Sequence, residues 1–278
     1  MLSRISPVVD PTAGELGPAR SAGTSIVIVT YNSETTIANC LHSVLLSIEA
    51  GDEVIVVDNA SIDGTRREIQ QFLPLTSRLR LIESKANLGF STGCNTGLRA
   101  SQGTYLVLLN PDTIVYPRWL EKLRRVFAED VGAVGPVSDN AALHQGIGCY
   151  VEPGRRLQEL QDVLTEGYAG QVGETKLLVG FCLMVKRDIL NRVGLLDEDL
   201  FVGNDDLELS WRLRTHGLRL LIALDVFVHH TNHVSFTSVE PDVRRRYIEE
   251  SWAALTRKLR RHYPVLPSNS ELWGLEEG

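Results

Sequence analysis

Within its 278 residues the chain has no apolar run approaching the roughly 20 residues of a membrane-spanning helix, so no helical span is expected. Cysteine is scarce: Cys40, Cys94, Cys149 and Cys182 stand far apart, with no C-x-x-C pair. That spacing argues against a disulfide framework or a structural zinc site and predicts buried free thiols in a reducing compartment. Positive charge is in deficit, with 28 Lys and Arg against 35 Asp and Glu, a net charge of −7 and a pI of about 5.6. Such a chain has no basic field to hold nucleic acid, and none is expected as a partner. The amino terminus, MLSRISPVVDPTAGELGPARSAG, lacks the apolar core of an export signal and is rich in Pro, Gly and Ala. It reads as a flexible leader over 1–23, and a cytoplasmic location is expected. No internal repeat or low-complexity tract is present.

The residues that carry information are polar groups placed just past runs of Val, Ile and Leu. SIVIVTYN leads to Asn32, EVIVVDNAS carries Asp58, and TYLVLLNPDT carries Asp112. Continuous runs of this kind read as buried strands of a mostly parallel sheet, here at 25–30, 53–57, 79–84 and 104–109. Between them lie a helix near 34–49, a turn and helix start at 59–65, and a glycine-rich bend in KANLGFSTGCNTGLRAS that opens another helix. This alternation predicts an α/β fold with helices on both faces of the sheet. Ligands of such sheets bind beyond the carboxyl ends of the strands, where these carboxylates gather. The second half continues with strands at 132–138, 178–186 and 219–230. Between the first two lies an irregular stretch at 139–175 with one weak helix around 155–166. A helix from GNDDLELSWRLRTHG ends at Gly217, and a last helix spans 241–262. Residues 24–240 read as one domain, followed by a C-terminal helix and tail over 241–278.

Most of these polar residues admit two readings. Asp58 either accepts hydrogen bonds from a base edge or ribose or caps its own turn. Asp112 either offers a carboxylate to a hard cation bound with phosphate oxygens or closes the Asn-Pro-Asp-Thr turn. Asp205, Asp206 and Glu208 put three acids within four residues at a helix start. Complementing the helix dipole explains one or two of them; a general base for an incoming hydroxyl would use another, and Glu208 pairs with Arg212 at i+4 in a structural reading. His229, His230 and His233 follow a β run and suit a metal or phosphate contact. Seven Arg and Lys between 244 and 261, beside Ile248, Trp252, Leu255 and Leu259, form either a solvated helix face or a peripheral contact with anionic lipid at the inner face of the membrane.

Together the segments SIVIVTYNSETTIANCLHSV, VIVVDNASIDGT and NLGFSTGCNTGLRASQGTYLVLLNPDT resemble glycosyltransferase family 2, which has the GT-A fold, and in particular its bacterial rhamnosyltransferase-like branch. The resemblance runs from about residue 24 to about 240. It implies that Thr30, Tyr31, Asn32 and Asp58 hold the base and ribose, and that Asn87, Gly89, Asn95, Asn110 and Gly180 also contact substrate. Asn110 and Asp112 stand where the family has its D-x-D metal motif, with the first Asp replaced. Asp205 and Asp206 align with the acceptor motif, Asp206 as catalytic base and Asp205 as its alternate. His230 matches the late histidine near the diphosphate, with His229 as alternate, and joins Asp112 as a metal residue.

The resulting expectation is an inverting glycosyltransferase that uses a divalent metal, Mg²⁺ or Mn²⁺. Its donor is a nucleotide sugar, dTDP-rhamnose or a UDP-sugar; its acceptor is a glycan, a lipid-linked molecule or a small molecule in cell-surface polysaccharide or glycoconjugate synthesis. The stretch at 139–175, beside Gly180 and Phe181, is the expected acceptor-side loop. A nucleotidyltransferase is the rival enzyme, but TYNSETT offers neither glycine nor a basic residue to grip a triphosphate. A non-catalytic nucleotide-sugar-binding module would have no need of Asp206.

Overall fold

The computed structural model describes residues 15–148, 156–231, 240–262 and 266–273. Cys149, His233 and the first part of the leader fall outside the described residues. The leader is packed from Leu16 onward: Leu16 is buried, and its N–H donates to Asn191 Oδ1 at 2.9 Å. β1 (Ser21–Thr30) then begins inside the stretch read as leader.

An alternating first half follows. It comprises α1 (Ile37–Ser47), β2 (Glu53–Asp58), α2 (Thr65–Gln70), β3 (Leu79–Glu83), α3 (Phe90–Ala100) and β4 (Gly103–Leu109). α1 forms because Ile37, Cys40, Leu41 and Val44 recur at helical spacing and bury on the sheet. β1 shows why the sheet is two-sided. Ile26 and Ile28 face the layer of α1, while Val27 and Val29 face the layer of α3. The second half adds β5 (Thr113–Ile114), α4 (Trp119–Arg124), β6 (Val131–Val137), α5 (Leu157–Gly167), β7 (Val172–Thr175), β8 (Cys182–Lys186), α6 (Arg187–Val193), α7 (Asp205–Thr215), β9 (Arg219–Phe227) and β10 (His229–His230). The C-terminal helices are α8 (Pro241–His262) and α9 (Asn269–Trp273).

The main sheet has the order β3-β2-β1-β4-β8-β6-β9-β7 and is mostly parallel; β8 and β7 run against the rest. The order reverses at β1, with β2 on one side and β4 on the other, which opens a crevice beyond their carboxyl ends. Reversed β8 brings its preceding residues, Val179–Phe181, to that same edge. The strand expected over 178–186 is therefore a loop up to Phe181. The described part of the irregular 139–175 stretch holds more regular structure than its sequence suggests. α5 buries Leu160 and Leu164 along β9, and β7 adds an edge strand to it.

The C-terminal helix divides the apolar stripe read from its sequence. Leu255 and Leu259 are buried in a cluster with Leu207 and Trp211 of α7, each contributing about 1.5–3 kcal/mol. Ile248 and Trp252 remain 53% and 37% exposed. Lys258 leaves the basic face altogether and binds Asp197 at 2.8 Å and Glu208 at 3.3 Å.

Candidate active site

A cavity of about 600 Å³ lies at the reversal point of the sheet. Tyr31 enters it from the end of β1, Asn59 from β2, Asn87 to Phe90 from the start of α3, and Asn110 to Asp112 from β4. Val179 to Phe181 close it from the reversed strand, and Asp205 and Asp206 from the start of α7. Gly89 has φ +86, and a Cβ there would stand 2.6 Å from the Phe201 carbonyl oxygen, so only glycine lets α3 start against this wall.

On one side lie Asp112 and His230. The pairing of β10 with β5 sets His230 opposite Thr113, next to Asp112. The imidazole stacks on Phe181 with centroids 5.1 Å apart and planes at 17°. Its Nδ1 is 3.0 Å from the Asn140 carbonyl oxygen, which can only accept, so Nδ1 carries the proton. In the neutral ring, Nε2 then presents its lone pair 3.3 Å from Asp112 Oδ1 and 3.4 Å from the Asn110 amide nitrogen. Two acceptors at that separation fit a cation between them. Among the described residues, no group of three or more His, Cys, Asp or Glu could hold a metal ion unaided. The donor set suits a cation that arrives with phosphate oxygens and keeps several waters. His229 does not share the role; its Nδ1 pairs with Asp139 at 2.6 Å.

Asp205 and Asp206, at the start of α7, also line the cavity. Asp206 is held by two backbone N–H groups, from Gly180 at 3.0 Å and Leu207 at 2.8 Å. Burial raises its carboxyl, and those two bonds oppose the rise. Asp205 is buried deeper and is pushed up to about 7, by burial first and then by the Asp206 carboxylate. The pair therefore retains a proton that ordinary carboxylates would have lost, with Asp206 better placed to stay ionised. Glu208 plays no part here. Burial would raise it, but Arg212 and Lys258 hold it below the usual carboxylate range. Its Oε2 lies 2.7 Å from Arg212 Nη2, the i+4 pairing legible in the sequence.

Some expected contacts are arranged otherwise. Tyr31, Asn87, Gly89, Asn110, Asp112, Gly180, Asp205, Asp206 and His230 line the cavity; Thr30, Asn32, Asp58 and Asn95 do not. Asn95 is spent on structure, its amide donating to Leu196 O and Glu198 Oε1 while its oxygen accepts from Leu196 N. Asp58 accepts from Ser61 N at 3.3 Å and from Arg66, the turn-capping alternative. Asn32, in the left-handed region at φ 51, accepts from Ile62 N at 3.0 Å and so ties the two neighbouring turns together. Thr30 is fully buried, and its hydroxyl has no partner among the described residues. Asn59 was not singled out from the sequence. It donates to Asn87 Oδ1 and Gly89 O and accepts from Leu88 N, fixing the glycine bend; its only sequence signal is its place directly after Asp58.

The family model described as Glycosyl transferase family 2 matches residues 25–194. The chain belongs to glycosyltransferase family 2. Its fold is GT-A: the mannosyltransferase PcManGT of Pyrobaculum calidifontis, solved with GDP-Man and Mn²⁺, superposes with a TM-score of 0.61 at 22% identity, over 89% of this chain and 68% of that one. Among family members, an uncharacterized glycosyltransferase of Haemophilus influenzae is 31% identical over 36% of this chain and 31% of its own length. Glycosyltransferase AglE of Haloferax volcanii is 26% identical over 74% of this chain and 66% of its own. The N-acetylglucosaminyl-diphospho-decaprenol L-rhamnosyltransferase of Mycobacterium tuberculosis is 25% identical, over 75% and 76%. The chain thus spans about a third of the first relative and just under two thirds of the second. The family match ends before Asp205, Asp206 and His230, so these rest on the geometry above.

Proposed function

We propose that the chain is an inverting glycosyltransferase that moves a sugar from a nucleoside-diphosphate sugar to an acceptor hydroxyl in polysaccharide or glycoconjugate synthesis. The observation that carries this reading is one cavity with two unlike acidic sides: a buried carboxyl pair, and a carboxylate–imidazole pair suited to a diphosphate. Asp206 takes the proton of the acceptor hydroxyl as that oxygen forms its bond to the anomeric carbon. The bond from that carbon to the diphosphate oxygen breaks on the opposite face, and its electron pair leaves with the nucleoside diphosphate. Asp112 and His230 would hold a divalent cation, Mg²⁺ or Mn²⁺, whose charge offsets that of the diphosphate. The name of the mycobacterial relative supports rhamnose as the sugar and a lipid-linked acceptor; the donor proposed is dTDP-rhamnose, with a UDP-sugar as the other donor. Against the nucleotidyltransferase reading, no Lys or Arg among the described residues lines the cavity to grip a triphosphate. The test is hydrolysis or transfer across UDP-, dTDP- and GDP-sugars, and inertness toward all of them overturns the proposal.

Two expectations accompany it. Because Asp112 and His230 are too few to hold a metal alone, Mn²⁺ should bind weakly by itself and at least tenfold more tightly with the nucleoside diphosphate. Asp112→Ala should remove most of that gain. Titration by electron paramagnetic resonance checks both, and equal Mn²⁺ affinity with and without nucleotide would contradict them. Peripheral contact with an anionic membrane would use Ile248 and Trp252 with the neighbouring basic residues. Arg245 and Arg246 already pair with Asp242 and Glu250, which weakens that face. Flotation with anionic liposomes should therefore show slight binding at low salt that disappears at high salt; its absence at low salt leaves a solvated face.

A further inference from the structure

We infer that Phe201 and Tyr247 form the acceptor subsite and that it takes an uncharged pyranose ring. The inference rests on the glycosyltransferase reading and specifies its second substrate. Both side chains line the cavity, with ring centroids 5.4 Å apart and planes at 38°. Phe201 lies four residues before Asp205, on the segment that leads into α7. Tyr247 comes from α8, which is fastened to that same segment: the Ser251 hydroxyl donates to Gly203 O at 2.5 Å, and the Asn204 amide donates to Ser251 at 3.1 Å. The two rings are therefore held against the segment that leads into the acid pair.

A base must come within hydrogen-bond reach of the hydroxyl it deprotonates, so the acceptor ring rests beside Asp206. The surface available there is aromatic. Flat rings offer apolar area and a negative face to the C–H groups of a sugar, whose hydroxyls stay free for polar partners at the rim. Charge narrows the choice further. Three acids, Asp112, Asp205 and Asp206, line the cavity, and no Lys or Arg among the described residues lines it. A uronic acid or phosphorylated sugar beside Asp205 and Asp206 would meet the ionised Asp206 with no Lys or Arg to offset the like charge, which discriminates against it. Tyr247 also lies beyond the residues that match the family model, so this part of acceptor selection belongs to the C-terminal helix and not to the shared core.

The experiment is transfer kinetics from whichever nucleotide sugar the panel identifies, to p-nitrophenyl glucoside, galactoside and N-acetylglucosaminide, with p-nitrophenyl glucuronide as the charged probe. Tyr247→Ala should raise KM for the neutral glycosides about tenfold while KM for the donor stays within about twofold, and Tyr247→Phe should restore acceptor KM. The glucuronide should be at least about tenfold poorer than the glucoside in kcat/KM. Trp252→Ala, on the exposed face of the same helix, should change neither KM and so separates the subsite from general loosening of α8. An unchanged acceptor KM in a Tyr247→Ala protein of near-native melting temperature overturns the inference, as does equal use of glucuronide and glucoside. Donor hydrolysis with no turnover of any glycoside also overturns it and leaves the transferase reading standing, whereas inertness toward every nucleotide sugar overturns that reading itself.

Discussion

Asp206→Asn is expected to lower kcat for sugar transfer about a thousandfold while the affinity for the nucleoside diphosphate changes little. Positioned general bases contribute roughly 10²–10⁴ in rate, and their loss is felt in the transition state more than in binding. The Gly180 and Leu207 N–H groups meet different oxygens of Asp206, and asparagine keeps an oxygen for only one of them, so an unchanged melting temperature is the control that the start of α7 has not moved. A pH profile adds a second check. Burial raises both carboxyls above their ordinary value of 3.8, and Asp205 reaches about 7. A base works only when ionised, so the acid limb of the rate should lie above the ordinary carboxylate value. Asp206→Asn should flatten that acid limb along with the activity. Full turnover in Asp206→Asn, with Asp205→Asn inactive, would transfer the base to Asp205. Equal loss of nucleotide binding would make Asp206 a binding residue instead.

The largest stability effect is expected at Arg212. All five of its N–H donors are engaged. Nε and one Nη2 hydrogen meet the Glu208 carboxylate at 3.0 and 2.7 Å, and the others reach the carbonyls of Val193, Gly194 and Leu195 at 2.8 Å each. Arg212→Ala leaves the buried Glu208 carboxylate to Lys258 alone and three carbonyls without their donor, and breaking a buried pair from one side costs about 3–5 kcal/mol. At roughly 2–4 °C per kcal/mol for a chain approaching this size, the melting temperature should drop by about 6–20 °C. Arg212→Lys should recover little, because a single ammonium cannot span the carboxylate and the three carbonyls together. A drop of under about 3 °C would show that the network is dispensable.

Which parts of this arrangement could be read from the sequence follows from the range of the interactions involved. The strands of the first half were legible because buried parallel strands are continuously apolar, and Asp112 and Asp206 because carboxylates at strand and helix ends need a reason to be there. The Glu208–Arg212 pair is a local i+4 contact and shows directly. β7 did not show: VGET is a largely exposed edge strand with no apolar alternation. Nor did the reversal of β8, since nothing in CLMVK encodes which way it runs against its neighbours. Asn95 looked like a substrate contact because of its motif, yet its partners lie about a hundred residues further on, at Leu196 and Glu198. Tyr247 sat unnoticed in a basic helix whose helical period revealed only the packing stripe.

The latching of α8 also sets the walls of the cavity apart. With Lys258 bonded to Asp197 and Glu208, and Ser251 to Gly203, the wall that carries Phe201 and Tyr247 is tied to the body of the protein at three points. Another rim of the cavity, Asn140 to Ala142, lacks such ties to α8 among the described residues. That rim runs straight into Leu143, a bulky, partly exposed side chain held at φ 57, where the backbone is already strained. A strained backbone thus lies three residues from the carbonyl that orients His230.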